Sequence, residues 1–574
     1  MKSVKYITLA IAAAGFSLTS CDLDHEPDER VNLVETTQVV QLLSTAYSDG
    51  NYGWLCDASS DNIVDINAPY MATQSDGKEI EVRYNMSSYE RMDDEIYKFE
   101  PVRSSDDEDS PSSVWEGCYH AIAVANHAIS ILDEIKAKNG GTEDAKMRAA
   151  YGEAYLTRAY HHFILVNVFS QAYRNDELSQ ADKGIPYVTS PEDKVSVNYD
   201  RGTVTETYNK IEADLEEGLK RVNDNIYEKP KWHFNTNAAH AFAARFYLFK
   251  RNYDKVIEHA NAVLGTDRST LPNLLMKYDQ FDDATTLANY ANIWQDPESP
   301  NNLMLIDTHS IHFRRSVGYR YATAGRALRD IFYHLGPNWR WFCMPAAGVG
   351  GETFYDGDSG DHGYCSSRIG ERFEYTNKVA NIGWAHVIRR EFTCTTLLLE
   401  RAEAELLGNH DVDGCVADLI AYEDSRQTFS EKTKLFYTNG GALKPLTRAD
   451  IESWYTDYTH SNTLTAEQWA TTQNMSPDFV IPNDVLVYWN CLNDLRRYET
   501  GWTGFRFFDL KRWGLPIEHH YNPENTVFRL EWNDPRRAIE VPQDVLVAGM
   551  SSSQTPLVSA ISTPARFSNF EYKK

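Results

Sequence analysis

Trp339 and Trp341 stand two residues apart and head the densest aromatic cluster of this sequence, with Tyr319, Arg320 and Tyr321 upstream. In an extended loop that spacing turns both rings the same way. A second set, Tyr70, Arg83, Tyr84 and Tyr89, occupies an earlier stretch of similar character. Rings of this kind either stack on flat apolar faces, those of sugars included, or fill a core. The chain holds 34 Tyr, 24 Phe and 13 Trp, and composition alone does not separate the two uses. Other groups that could do chemistry are weaker. His161-His162 lies in an apolar helical stretch and reads as a packed pair. Glu400, Glu403 and Glu405 suggest the paired carboxylates of glycoside hydrolysis. Their amphipathic helix, however, gives them a solvated or helix-pairing role. Asp356, Asp358 and Asp361 form an acidic loop, but an EF-hand needs glycine where Asp361 stands and glutamate where Ser367 stands. A looser calcium site stays open. Gly348-Val349-Gly350-Gly351 lacks the spacing of a phosphate loop, and there is no HExxH, GxSxG or P-loop. No catalytic residue, cofactor or metal is therefore expected.

The elements that position these residues are helices. Val114, Cys118, Ala121, Ile122, Ala125, Ile129 and Leu132 advance by three or four, as one helix face requires. Val39, Leu43, Ala46 and Tyr47 form a shorter stripe, and Tyr155, Ala159, Phe163 and Val166 place a helix over about 146–169. Thr203-Val204-Thr205-Glu206 is a capping box that opens a further helix. Residues 235–250 and 253–264 read as two amphipathic helices joined at Asn252, a tetratricopeptide-like hairpin. Residues 396–407 and 412–422, broken at Gly408-Asn409, read as a second. Residues 60–112, 265–390 and 425–490 lack lasting periodicity and are rich in Asp, Asn, Gly, Pro, Tyr and Trp. Loops this long are seldom idle, and their aromatics argue against disorder.

The amino terminus states where the chain works. Lys2 and Lys5, the apolar run 7–16 and Leu18-Thr19-Ser20-Cys21 make a secretory signal ending in a lipobox-like site, with Cys21 as the lipidated residue. The apolar run is shorter than the ~20 residues that span a bilayer. Cleavage before Cys21 takes the formal net charge from -27 to -29, because the signal carries two lysines and no acids. Such a surface repels nucleic acid, which excludes that class of partner. The seven later cysteines form no CxxC pair, and several of them fall in apolar helical stretches and read as small core residues.

The strongest local pattern is Gly504-Phe505-Arg506-Phe507-Phe508-Asp509-Leu510-Lys511-Arg512-Trp513-Gly514. It resembles the E-x-x-x-E-G-x-R-x-x-D-L-x-R-W-G stretch of SusD/RagB nutrient-binding lipoproteins. Arg506, Asp509, Leu510, Arg512, Trp513 and Gly514 match, Glu499 stands near the first acidic position, and Thr503 replaces the second glutamate. Further matches follow in order: Trp115, Tyr119, Ile122 and Asn126; Arg158-Ala159-Tyr160, Phe163 and Phe169, with Ser170 in place of glycine; Arg201, Thr203, Tyr208, Ile211, Asp214 and Leu215; Ala244-Arg245, Tyr247-Leu248 and Tyr253; Leu399, Glu400, Ala402 and Glu405. The motif residues themselves read as structural, with Arg506 pairing Asp509 and Arg512 packing on Trp513.

The resemblance implies a mainly α fold, a tetratricopeptide-like hairpin scaffold carrying a large loop-rich ligand face. It implies a signal peptide over 1–20, an acidic tether over 21–35, an N-terminal helical region over 36–265 and a loop-rich C-terminal region over 266–574. It implies a non-catalytic outer-membrane lipoprotein that faces the cell exterior. Such a protein binds a glycan and delivers it to a SusC-like TonB-dependent transporter. By position the ligand residues would be Trp339, Trp341, Tyr319, Arg320, Tyr321, Tyr70, Arg83, Tyr84 and Tyr89. The acidic run Asp22, Asp24, Glu26, Asp28 and Glu29 resembles an export tag for the outer face. A peptide or other nutrient receptor of the same fold, a surface glycan hydrolase and a purely structural scaffold remain as alternatives.

Overall fold

A computed structural model of the chain describes residues 35–67, 70–73, 77–82, 90–103, 108–191, 199–277, 279–281, 283–284, 286–316, 320–322, 336–337, 366–426, 429–430, 435–436, 445–457, 465, 476–521 and 526–554. The fold is mainly helical. Helices α1 (Thr36–Leu43), α2 (Gly53–Ala58) and α3 (Arg91–Tyr97) precede two long ones, α4 (Pro111–Lys138) and α5 (Ala145–Phe169). Then come α6 (Val204–Leu219), α7 (Thr236–Phe249), α8 (Tyr253–Leu264), α9 (Leu287–Trp294) and α10 (His312–Arg315). The C-terminal region adds α11 (Cys394–Leu407), α12 (Val412–Asp424), α13 (Arg448–Tyr455), α14 (Leu486–Thr500), α15 (Phe505–Trp513) and α16 (Gln543–Val547).

Local chemistry explains where these helices begin. Ser110 accepts from the Ser113 amide and Pro111 takes the first turn of α4, where its missing N–H costs nothing. The capping box at α6 is complete: Thr203 Oγ1 accepts from Glu206 N, and Glu206 Oε2 accepts from Thr203 N. Asn235 and Asn252 cap α7 and α8, so the first hairpin stands as its sequence implies. Helices α11 and α12 form the second.

The main core runs from Tyr52 to Val541 and draws on both halves of the chain. No helix among the described residues is long and apolar enough to cross a membrane. The described cysteines, Cys56, Cys118, Cys394, Cys415 and Cys491, are buried and free.

Residues 265–390 are more regular than expected. They hold strands β4 (Asn302–His309), β6 (Glu371–Asn377) and most of β7 (Ile382–Thr393), in one antiparallel sheet of order β4-β7-β6. The remaining strands pair as short hairpins or bridges: β1 (Val64–Asp65) with β5 (Tyr321–Ala322), β2 (Tyr70–Thr73) with β3 (Glu79–Val82), β8 (Phe429–Ser430) with β9 (Leu435–Phe436), and β10 (Ile517–Tyr521) with β11 (Thr526–Leu530). The Phe373/Tyr375 and Trp384/His386 alternation is a strand period, but aromatics on both faces hide the usual apolar-in, polar-out contrast.

The motif helix α15 is held at both ends by glycines in the left-handed region, Gly504 at φ 84° and Gly514 at φ 73°. A Cβ on Gly504 would sit 3.0 Å from Cys56 Cβ and 3.1 Å from Gly53, so α2 and α15 meet here at backbone distance. Between the glycines lies a buried ionic lattice. Arg512 forms a two-pronged bond to Glu403 of α11 and a third bond to Asp509. Asp509 also accepts from Arg496 at 2.9 and 3.1 Å. The guanidinium of Arg512 lies 4.6 Å from the Trp513 ring centre, as expected. Arg506 departs from expectation. It pairs with Asp61, at 2.9 and 3.0 Å, because Asp509 is already taken by Arg496 and Arg512. Glu400 and Glu405, the other carboxylates of α11, pair with Arg245 and Arg268.

His161 and His162 are fully buried packing residues. The Ser48 amide donates to His161 Nε2 at 3.0 Å, while Nδ1 faces Thr157 O at 2.8 Å. The Val188 amide donates to His162 Nε2 at 3.1 Å, and its Nδ1 faces Arg158 O at 2.8 Å. An acceptor Nε2 fixes the neutral Nδ1–H form. Burial lowers the two rings from 6.5 to about 4 and about 3.

Two predictions follow from this core. A base held neutral when folded loses stability as pH falls from its unfolded value, 6.5, towards its folded value. Thermal unfolding should therefore steepen below pH 6.5, with about 3 kcal/mol carried by His161. His161→Gln, whose carbonyl still accepts from Ser48, should flatten that limb. Separately, Glu403→Gln leaves Arg512 and Trp513 under-compensated and should cost about 3–5 kcal/mol in a denaturation series.

Candidate functional site

The two aromatic loop regions meet at their roots. β1 and β5 pair antiparallel, Val64 opposite Ala322 and Asp65 opposite Tyr321, and the Ile66 amide donates to Arg320 O at 3.0 Å. Arg320 grips Asp65 with two bonds, at 3.0 and 2.6 Å. Tyr321 donates to Asp94 of α3, and its ring packs 4.5 Å from that of Tyr97. Arg315 of α10 bonds Asp93 at 2.7 Å, and Trp54 Nε1 donates to the same carboxylate oxygen. Asp109 accepts from Ser310 Oγ and from the Ile311 amide. Burial holds Asp109 far above its ordinary range, at about 7. His519 closes the arrangement from β10. Its ring lies between Tyr97 and Phe99, at 4.2 and 4.4 Å, with its nitrogens 2.7 Å from Tyr97 O and Ser60 O. Asp61, one residue beyond Ser60, is the partner of Arg506 in α15, and the charges of Arg497 and Arg506 pull its carboxyl well down against its burial. The loop roots are thus tied through charged pairs to the motif helix.

This geometry corrects two of the expected ligand residues. Tyr321 is fully buried and Arg320 is 5% exposed, and both turn inward to carboxylates. A guanidinium shielded from water binds a buried carboxylate bidentately and keeps it. Arg320 and Tyr321 position the loops. Tyr70 opens β2, opposite Val82. Cys21, Arg83, Tyr84, Tyr89, Tyr319, Trp339 and Trp341, with the acidic loop Asp356, Asp358 and Asp361, lie outside the described residues.

A group that sequence reasoning missed stands at the end of the three-stranded sheet. Trp384 is 50% exposed, Tyr375 45% and Phe373 38%, on a hairpin that projects into solvent. Trp384 stacks on His309 of β4, ring centres 5.5 Å apart and planes 16° from parallel. His386 meets His309 edge-on at 4.8 Å and lies 3.2 Å from Asp307 and 3.3 Å from Glu374. Asp49 approaches His309 at 3.7 Å. Register puts Trp384, His386, His309 and Glu374 on one face, and Phe373 with Tyr375 on the other. The signal was present: Phe373 and Tyr375 are two apart, and an Asn-bearing turn (377–381) precedes Trp384.

A half-exposed indole beside carboxylates and imidazoles can stack on the C–H face of a sugar ring while the polar groups bind hydroxyls. No group of three or more His, Cys, Asp or Glu among the described residues is placed to hold a metal ion.

Comparison with known proteins finds the same fold. Residues 23–248 match the family model SusD-like_3, described as "Starch-binding associating with outer membrane". A SusD superfamily protein from Bacteroides thetaiotaomicron VPI-5482 superposes with a TM-score of 0.54 at 16% identity, covering 91% of this chain and 98% of its own. One from Bacteroides fragilis gives 0.54 at 15% identity, covering 90% and 97%. A SusD-like carbohydrate binding protein from Bacteroides vulgatus ATCC 8482 gives 0.53 at 14%, covering 90% and 96%. No curated protein matches. Residues 23–248 are similar to that family, and about nine-tenths of the chain shares the fold of these solved structures.

Disrupting the loop anchor tests this architecture. Asp65→Asn should weaken the pairing with Arg320, and hydrogen exchange should rise first at 64–66 and 320–322, with a loss of about 3 kcal/mol at most.

Proposed function

We propose that this chain is a surface-exposed lipoprotein of the outer membrane that binds a glycan and hands it to a SusC-like TonB-dependent transporter. The observation that carries the reading is the SusD-type fold with an exposed aromatic and carboxylate face at the end of its sheet. The family description names starch binding and outer-membrane association, and one structural relative is a carbohydrate binding protein. The net charge of -27 suits a neutral or weakly charged ligand on most of the surface.

In this reading Trp384 is one platform, with Trp339, Trp341 and Tyr319 of the later loop and Tyr70, Arg83, Tyr84 and Tyr89 of the earlier loop completing the face. Arg320 and Tyr321 hold the roots. Hydroxyls bond to Glu374, Asp307 and Asp49, which are 73%, 55% and 62% exposed at the side chain. Lipid on Cys21 tethers the chain, and the transporter lies beneath it.

Calorimetry and affinity electrophoresis against a polysaccharide panel should find at least one ligand. Trp384→Ala, Trp339→Ala and Trp341→Ala should each weaken it about tenfold, the scale of one lost stacking contact. Binding to peptides alone would move the reading to a peptide receptor. Release of reducing sugar would revive the hydrolase. In whole cells, Cys21→Ala should release the protein from the membrane fraction. Alanine at Asp22, Asp24, Glu26, Asp28 and Glu29 should leave it anchored but protected from added protease.

A further inference from the structure

A cleft of about 430 Å³ opens on the scaffold, sharing no residue with the loop face. Its walls come from the segment after α5, the C-terminal end of α15 and the last described stretch of the chain. In a chain of net charge -27 its lining is basic: Arg174, Lys183, Arg251, Lys511 and Arg512 face one carboxylate, Asp182. Arg251 is neutralised by Asp478, and Arg512 by Glu403 and Asp509. Lys183 and Lys511 have no carboxylate within ion-pair range among the described residues. Lys183 reaches only Ser552 O, at 3.4 Å. Lys511 is 5% exposed, and its ammonium donates to Asn167 O and Ser170 O. A third N–H remains. A buried cation held only by carbonyl dipoles is poorly compensated, and burial draws Lys511 down to about 7.

Two further features narrow the ligand. Gln554 is 93% buried, and while its Nε2 donates to Ala538 O, its Oε1 accepts from no group. An orphaned carbonyl oxygen in a cleft wall wants a hydroxyl or N–H. Trp532 lines the same cleft half-buried, with the Arg174 guanidinium 5.8 Å from its ring centre. It offers an apolar ring face beside the cations.

We infer that this cleft is a second binding site, for a single acidic sugar unit of the hexuronate kind. Its carboxylate meets Lys183 and Lys511, its ring face lies on Trp532, and a hydroxyl donates to Gln554 Oε1. The basic lining draws an anion that the acidic remainder of the surface repels.

The test is calorimetry and thermal shift on the full chain with three probes: glucuronate, glucose and inorganic sulfate. Glucuronate should bind and raise the Tm, and glucose at equal concentration should not. Lys183→Gln and Trp532→Ala, which change partly exposed side chains, should fold normally by circular dichroism and weaken glucuronate about tenfold each. Gln554→Leu should weaken it similarly. Trp384→Ala, in the loop face, should leave glucuronate binding unchanged, which separates this site from the glycan face. The proposal is overturned if glucuronate fails to bind the wild type, or if all variants bind it alike. It is also overturned if sulfate matches glucuronate and ignores Trp532→Ala, since the cleft would then hold a bare anion.

Discussion

Buried arginine–carboxylate pairing is the constraint on which this structure depends. Arg512 with Glu403, Arg506 with Asp61, Arg320 with Asp65 and Arg315 with Asp93 tie segments far apart in sequence, while Asp509 links Arg496 and Arg512 within the motif region. Each takes charge out of water, so each survives only where the fork of the guanidinium meets its carboxylate well. That demand is directional. Apolar contacts tolerate a sliding helix, whereas a bidentate bond does not. The lattice therefore fixes α15 against α11 and the turn after α2, and through Asp61 it fixes the root of the earlier loop.

The consequence for binding is a division of labour among the aromatics. Trp54, Trp489 and Trp513 are among the largest fully buried side chains, and Tyr97 and Tyr321 pack beneath the loop roots. With the roots held by charged pairs and stacked rings, the hairpin bearing Trp384 can project without carrying the fold. Its exposed indole stacks on His309, and Glu374, paired with His386, lies on the same face. A rigid base under an exposed platform lowers the ordering cost of holding a flexible ligand.

Much of the scaffold was legible. The Thr203–Glu206 capping box, the Asn252 turn and the stripe of α4 all stand where the residue pattern puts them, because caps and helix faces are set within four residues along the chain. The packing role of His161-His162 was legible too, from its place in an apolar helix. The site was less so. Arg320 and Tyr321 look like ligand residues beside a tryptophan pair, yet Asp65 and Asp94, far away in sequence, claim them. Phe373, Tyr375 and Trp384 fall in the 265–390 stretch that showed no lasting periodicity and were not singled out, yet they are exposed on a regular hairpin.

The residues alone determined the helical scaffold, the absence of familiar catalytic motifs and the resemblance to SusD-type proteins. Tertiary structure decided which carboxylate each arginine takes and which rings face water. Periodicity and capping are short-range interactions that a linear reading can count. The Arg506–Asp61 bond joins residues 445 positions apart, and Arg320–Asp65 joins residues 255 apart. Burial and pairing at those separations depend on the whole packed chain, so only the folded molecule can assign them.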